Sequence, residues 1–301
     1  MTAALFHALR PKQWTKNAVV LAAFLFACGD PSQSAYTAGL GPVLRVAAAA
    51  LLFCVISSGI YLLNDLLDVK ADRAHPVKRL RPIASGALPV SVARVASGAL
   101  LVGGLAAAAA LSREFARVAA AYVVLQVAYS TFLKRIPLVD SFVIAIGFVL
   151  RAVAGAEVVQ VRISPWLLLC TFLLALFLAL CKRRHETGVE SVDPEGVSHR
   201  AALKGYDAPL LDRLIGITAS ATIVCYAIYT LSEETVERFG THRLGLTIPF
   251  VIFGIFRYLD LVYRHREGGR PEQILLTDRV LLVDIVLYVL VVAAVLAPWA
   301  R

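Results

Sequence analysis

The sequence predicts an all-α, polytopic membrane protein with nine transmembrane helices and a cytoplasmic cap. Three observations carry this. Of the 301 residues, 59% are hydrophobic and only 17% are charged, against roughly 25% charged and about 45–50% apolar in soluble domains. The apolar residues gather into runs near the length of about 20 residues that a helix needs to cross a bilayer. These runs are 17–29, 43–63, 92–111, 115–133, 138–159, 165–181, 210–231, 246–263 and 280–298. The third observation is charge asymmetry. With the N-terminus in the cytoplasm, 22 of the 30 Lys and Arg fall on cytoplasmic segments and seven on the other side, with Arg151 inside a span. That is the pattern of the positive-inside rule.

The chain is read as one integral membrane domain over 1–301. Arg10-Pro11-Lys12-Gln13-Trp14-Thr15-Lys16-Asn17 opens the first span, which is short and starts near Gln13. Lys beside Trp suits an interfacial anchor, and the same cations suit a phosphate; both roles stay open. The second span runs straight into Asn64-Asp65-x-x-Asp68-x-x-x-Asp72, followed by Lys78-Arg79-x-Arg81-Pro82 and a turn into the third span. Tyr129, Lys134 and Arg135 close the fourth. Asp140 and Arg151 belong to the fifth, about three turns apart on one face, too far to pair, so each needs its own partner or a wet cavity. Lys182-Arg183-Arg184-His185-Glu186 closes the sixth, and residues 182–209, with Gly188, Pro194, Gly196 and Gly205, form the cap. Asp278-Arg279 opens the ninth span, and Asp284 within it reads as a structural hydrogen-bonding residue. The alanine runs 47–50 and 106–110 are small-residue faces that let membrane helices approach closely.

Net charge is +9, which suits anionic lipid heads or phosphorylated substrates; the basic residues are dispersed through loops, which argues against nucleic acid. The five cysteines lack metal-ligand or disulfide spacing and read as small packing residues. Leu25-Phe26-Ala27-Cys28 does not make a lipoprotein cleavage site, because Phe26 is too large.

The chemistry is concentrated after the second span. On a helix, Asn64 and Asp68, Asp65 and Asp68, and Asp68 and Asp72 are three or four residues apart, which stacks their oxygens on one face. Clustered hard oxygens suit Mg²⁺, which is usually held by one or two carboxylates plus substrate phosphates. Lys78, Arg79 and Arg81 suit a second phosphate. The plainer reading is a solvated charged loop between two membrane helices.

The acidic motif resembles the first aspartate motif of UbiA-type intramembrane prenyltransferases, in which nine helices surround a lipid-accessible cavity and Mg²⁺ holds a pyrophosphate. In most of that superfamily a second aspartate-rich motif follows the sixth span; here that place is the basic block Lys182–Glu186. A narrower branch, the decaprenyl-phosphate phosphoribosyltransferases, resembles this chain more closely. The shared points are Arg10-Pro11-Lys12-Gln13-Trp14-x-Lys16-Asn17, Tyr61-Leu62-x-Asn64-Asp65 through Lys78-Arg79-x-Arg81-Pro82-Ile83-Ala84, Arg151-Ala152-x-Ala154-Gly155, Lys182-Arg183, Arg257-Tyr258, Pro271-Glu272 and Asp278-Arg279. The resemblance implies transfer of 5-phosphoribose from phosphoribosyl pyrophosphate (PRPP) to a polyprenyl phosphate, with Mg²⁺ as cofactor, to feed cell-envelope arabinan synthesis.

It further implies a bacterial-type inner membrane location among membrane lipids, a cytoplasmic active site, and compatibility with a homo-oligomer. Asp65, Asp68 and Asp72 become the catalytic residues, and together with Asn64 they are the Mg²⁺ holders. Arg10, Lys12, Lys16, Lys78, Arg79, Arg81, Tyr129, Lys134, Lys182 and Arg183 become the substrate-binding residues. Two other readings remain: a UbiA-type prenyltransferase moving a polyprenyl group from its diphosphate to an aromatic or other acceptor, and a transporter or lipid-binding membrane protein without catalysis.

Overall fold

The computed structural model describes residues 1–190, 205–264, 269 and 271–296, and among these all regular structure is helical. The order is α1 (Thr2–Ala8), a 3-10 run (Pro11–Leu21), α2 (Ala22–Cys28), α3 (Ser34–Thr37), α4 (Leu40–Leu67), α5 (Val69–Ala74), α6 (Val90–Leu111), α7 (Arg113–Thr131), α8 (Val139–Val159), α9 (Pro165–Glu190), α10 (Ala208–Leu231), α11 (Glu233–Phe239), α12 (Ile248–Tyr263), α13 (Pro271–Thr277) and α14 (Arg279–Leu296).

Among the described residues, seven stretches are long and apolar enough to cross a membrane: α4, α6, α8, residues Pro165–Thr187 of α9, α10, Arg243–Tyr263 and α14. The expected count of nine is therefore not reached by length and apolarity. The first expected span is a bent pair, Pro11–Cys28 with Pro31–Thr37 at 106°, which makes eight if it counts as one crossing. The fourth is α7, a 19-residue helix whose first five residues include Arg113, Glu114 and Arg117. Of the expected ninth span, residues 297 and 298 lie outside the described residues, and so do residues 191–204 of the expected cap.

Helix α8 is the centre of the packing. Its Ala154, Ala156, Val158 and Val159 join a core with Val20, Phe24, Val46, Phe53, Phe115 and Tyr122. Its Ala145 joins a second core with Phe177, Leu180, Leu211, Ile215, Ile255 and Tyr258. Small residues on one helix let neighbours approach on both sides, which is how membrane helices gain contact where lipid offers no hydrophobic contrast. The closest approach is at Gly155, where a Cβ would lie 1.8 Å from the Val20 carbonyl oxygen. Only glycine lets the 3-10 run lie against α8 there.

Arg151 shows how the fold carries a charge inside the bundle. It is 5% exposed. Its Nε donates to Asn17 Oδ1 at 2.9 Å, Nη1 to the Gly147 carbonyl at 3.1 Å and Nη2 to Tyr122 Oη at 2.7 Å. The guanidinium also lies over the Tyr122 and Phe148 rings. Asp140 and Arg151 thus have separate partners, as their spacing along the helix requires.

A candidate active site of interleaved acids and cations

Helix α4 carries Asn64 and Asp65 in its last turn and ends at Leu67; Asp68, at φ −92° and ψ 2°, separates it from α5, which carries Asp72. The expected continuous helical face is therefore broken at Asp68, although the backbone hydrogen bonds Asp68 N to Asn64 O and Asp72 N to Asp68 O still hold the turns together. A small core of Ala8, Leu62, Ile83, Leu88 and Ala93 lies beneath this corner. Arg73 Nε also donates to the Ala84 carbonyl at 3.2 Å, fastening α5 to the turn after Arg81.

The acids do not stand alone. Asp65, 2% exposed, accepts from Arg10 Nη2 at 2.5 Å and Arg81 Nη1 at 3.1 Å. The same Arg81 nitrogen donates to Asp72 Oδ2 at 2.7 Å. Lys134, from the 3-10 turn Leu133–Arg135, donates to both Asp68 oxygens at 2.6 and 2.7 Å and to Asn64 Oδ1 at 3.2 Å. Three separate segments thus deliver cations to one acidic corner, those of Arg10 and Lys134 from 55 and 66 residues away. Arg10 reaches it from a left-handed backbone at φ 55°, ψ 59°. The following proline disfavours the right-handed helical region there, and its guanidinium lies over the Tyr61 ring at 5.2 Å.

The donor set is chemically suited to a hard divalent cation. Carboxylates from two helices, Asp65 and Asp72, already converge on a single cationic nitrogen. Among the described residues no three acidic, His or Cys side chains gather as a self-sufficient metal cage. Mg²⁺ takes one or two carboxylates and completes its shell with phosphates and water, so the pair Asp65 and Asp72 is the part of this corner that fits it. Burial pushes the Asp72 carboxyl above its usual range; Arg81 opposes this, and Asp65 and Asp68 add to it. A raised carboxyl binds its proton more tightly in the folded protein, so its contribution is full below the ordinary aspartate value and is lost as pH rises through the raised one. In EDTA, the wild-type Tm is expected to fall as pH rises through that window. An Asp72→Asn variant should show a flatter profile, and equal slopes would refute this assignment.

The other expected site residues are placed differently. Lys12 and Arg79 are exposed, while Lys16, Lys78, Tyr129 and Lys182 are half-buried. Arg183 is 1% exposed, its Nε 3.2 Å from Asp140 Oδ2, with its Nη1 donating to Glu186. The spacing of charges gave no sign of the Arg183–Asp140 tie, nor of Tyr206, whose hydroxyl donates to Asp140 at 2.6 Å.

The UbiA prenyltransferase family model matches residues 18–269, most of the chain. This chain belongs to the UbiA prenyltransferase family. Among UbiA relatives it is 36% identical over 292 residues to the decaprenyl-phosphate phosphoribosyltransferase of Mycolicibacterium smegmatis, covering 93% of this chain and 88% of the relative. It is 37% identical over 282 residues to that of Corynebacterium glutamicum, covering 92% and 82%. A UbiA homologue from Archaeoglobus fulgidus, solved with GPP and Mg²⁺, superposes with a TM-score of 0.72 at 19% identity, covering 98% of this chain and 99% of the other. In this UbiA chain the one acid of the block 182–186, Glu186, is engaged by Arg183. Arg184 pairs with Asp212 at 2.7 Å.

Proposed function

We propose that this UbiA-family enzyme transfers 5-phosphoribose from PRPP to a polyprenyl phosphate such as decaprenyl phosphate, releasing pyrophosphate. The observation that carries the reading is the alternation of signs at one corner: Asp65 and Asp72 on Arg81, Asp65 on Arg10, and Asp68 on Lys134. PRPP brings a pyrophosphate and a separate 5-phosphate, and the acceptor brings a third phosphate. Such a substrate pair needs acids for a metal and cations for the remaining charge, whereas a second acidic motif would repel it. The relatives with this activity, at 36–37% identity over most of their length, support the same reading.

Mg²⁺, when bound by Asn64, Asp65, Asp68 and Asp72, would neutralise charge on the departing pyrophosphate. Arg10, Arg81 and Lys134, which now hold these carboxylates, would then be available to phosphate oxygens. The C1–O bond to pyrophosphate breaks with its electron pair leaving on the pyrophosphate, and a lipid phosphate oxygen forms the new bond to C1 from the opposite face. That nucleophile is already anionic, so no strong general base is needed, and positioning with charge stabilisation carries the rate. Lys12 and Lys16 are assigned to the lipid phosphate at the interface, and Lys78, Arg79, Tyr129 and Lys182 to the rim of the soluble substrate, while Arg183 is buried against Asp140 and is assigned no direct contact with substrate. The charge asymmetry supports an inner-membrane topology with a cytoplasmic N-terminus and active site. The reading of nine crossings needs α7 and the bent pair Pro11–Cys28 with Pro31–Thr37 to cross as well.

The test uses purified protein in nanodiscs, PRPP labelled in the ribose and a polyprenyl phosphate. Label is expected to enter the lipid phase with Mg²⁺ and not with EDTA. Consumption of a polyprenyl diphosphate with an aromatic acceptor, and no label transfer, would replace this function with prenyl transfer.

A further inference from the structure

We infer that Tyr206, which precedes α10, is a positioning residue for Lys134, acting through the strained turn at Pro137–Leu138; the inference rests on reading Asn64–Asp72 with Lys134 as the pyrophosphate site. Lys134 is followed within four residues by Leu138, at φ 66° and ψ −47°. Val139 N donates to the Pro137 carbonyl at 2.8 Å. This is a γ-turn of the positive-φ kind, which is rare and strained. Such a conformation persists only where its surroundings over-determine it.

What holds it comes from a segment 68 residues away. Leu138 N donates to Tyr206 Oη at 2.7 Å. The Tyr206 hydroxyl donates to Asp140 Oδ1 at 2.6 Å, and Asp140 Oδ2 faces Arg183. Burial and then the bond to Asp140 push the Tyr206 phenol up to about 12, so it keeps its proton at any working pH. Gly205 lies so close to Pro137 that a Cβ there would come 2.3 Å from the ring Cγ. Only Ile136 and Pro137 separate the 3-10 turn bearing Lys134 from this clamp. Releasing Leu138 therefore releases the direction in which Lys134 points at Asn64 and Asp68.

A tyrosine that only stabilises the core would weaken ligand binding equally with or without Lys134. The experiment is a double-mutant cycle on the full chain in detergent, reading Mg–pyrophosphate binding by calorimetry for wild type, Tyr206→Phe, Lys134→Ala and the double variant. Tyr206→Phe is expected to weaken binding about tenfold, the scale of a lost hydrogen-bond network around a charged group, and to add no further loss once Lys134 is alanine. The same loss in both backgrounds, or none in either, would overturn the inference. Should Tyr206→Phe fail to fold, Gly205→Ala, which displaces Pro137, is expected to give the same non-additive pattern. Intact binding with no phosphoribose transfer would sink the proposed function alone. A wild-type protein that does not bind Mg–pyrophosphate would overturn both.

Discussion

Replacing Asp68 by alanine is expected to lower phosphoribosyl transfer by about 10²- to 10³-fold, the range seen when one preorganised electrostatic partner of a transition state is removed. Asp68 is the acid at the break between α4 and α5, and both its oxygens accept from Lys134. The substitution removes a Mg²⁺ holder. It also leaves Lys134, only 13% exposed along its side chain, with Asn64 as its remaining partner at this corner. The two losses act on the same departing pyrophosphate, so the effect is expected in kcat rather than in lipid KM. Asp68→Asn keeps the size and one acceptor oxygen and should fall between. The control is Glu114→Ala, which breaks an exposed pair with Arg117; solvent screens such a pair, and transfer should be unchanged. Should Asp68→Ala retain activity within a few-fold of wild type and keep its Mg²⁺ requirement, the acidic corner is not the metal site.

The membrane class and the location of the chemistry were legible because they rest on composition and on short-range spacing. Runs such as 43–63 and 280–298 are apolar over most of their length, with Arg45 and Asp284 as their charged residues. Asn64, Asp65, Asp68 and Asp72 lie within nine residues of one another, so any helical backbone brings them together. Long-range pairings were not legible: nothing local in Arg10 or Lys134 announces that they meet Asp65 and Asp68, 55 and 66 residues away. Two helices also departed from the apolarity pattern for physical reasons. The first expected span begins with polar residues behind Pro11 and winds as a 3-10 run, and α7 carries three charges near its start. Tyr206 was invisible because a tyrosine beside glycine in a polar segment looks like any surface residue until its hydroxyl is found buried.

The second large effect concerns Arg183, which the family resemblance placed among the substrate-binding residues. In the fold its side chain is 1% exposed and that of Asp140 is fully buried. A buried pair contributes little net stability, because desolvation offsets attraction, but removing one partner strands the other charge and costs about 3–5 kcal/mol. Arg183→Leu is therefore expected to lower the Tm of the detergent-solubilised protein sharply. Adding Asp140→Asn should recover much of the loss, because the stranded charge is gone and the amide still offers an acceptor to Tyr206. A phosphate ligand predicts the reverse signature: an unchanged Tm with a raised KM for PRPP, and no rescue by Asp140→Asn. The two outcomes separate a charge that binds substrate from one that fixes α8 to α9. If the tie is confirmed, Arg183 acts on the reaction through the Asp140–Tyr206–Leu138 chain, and the cations left to meet phosphate directly are those already gathered at the acids, Arg10, Arg81 and Lys134.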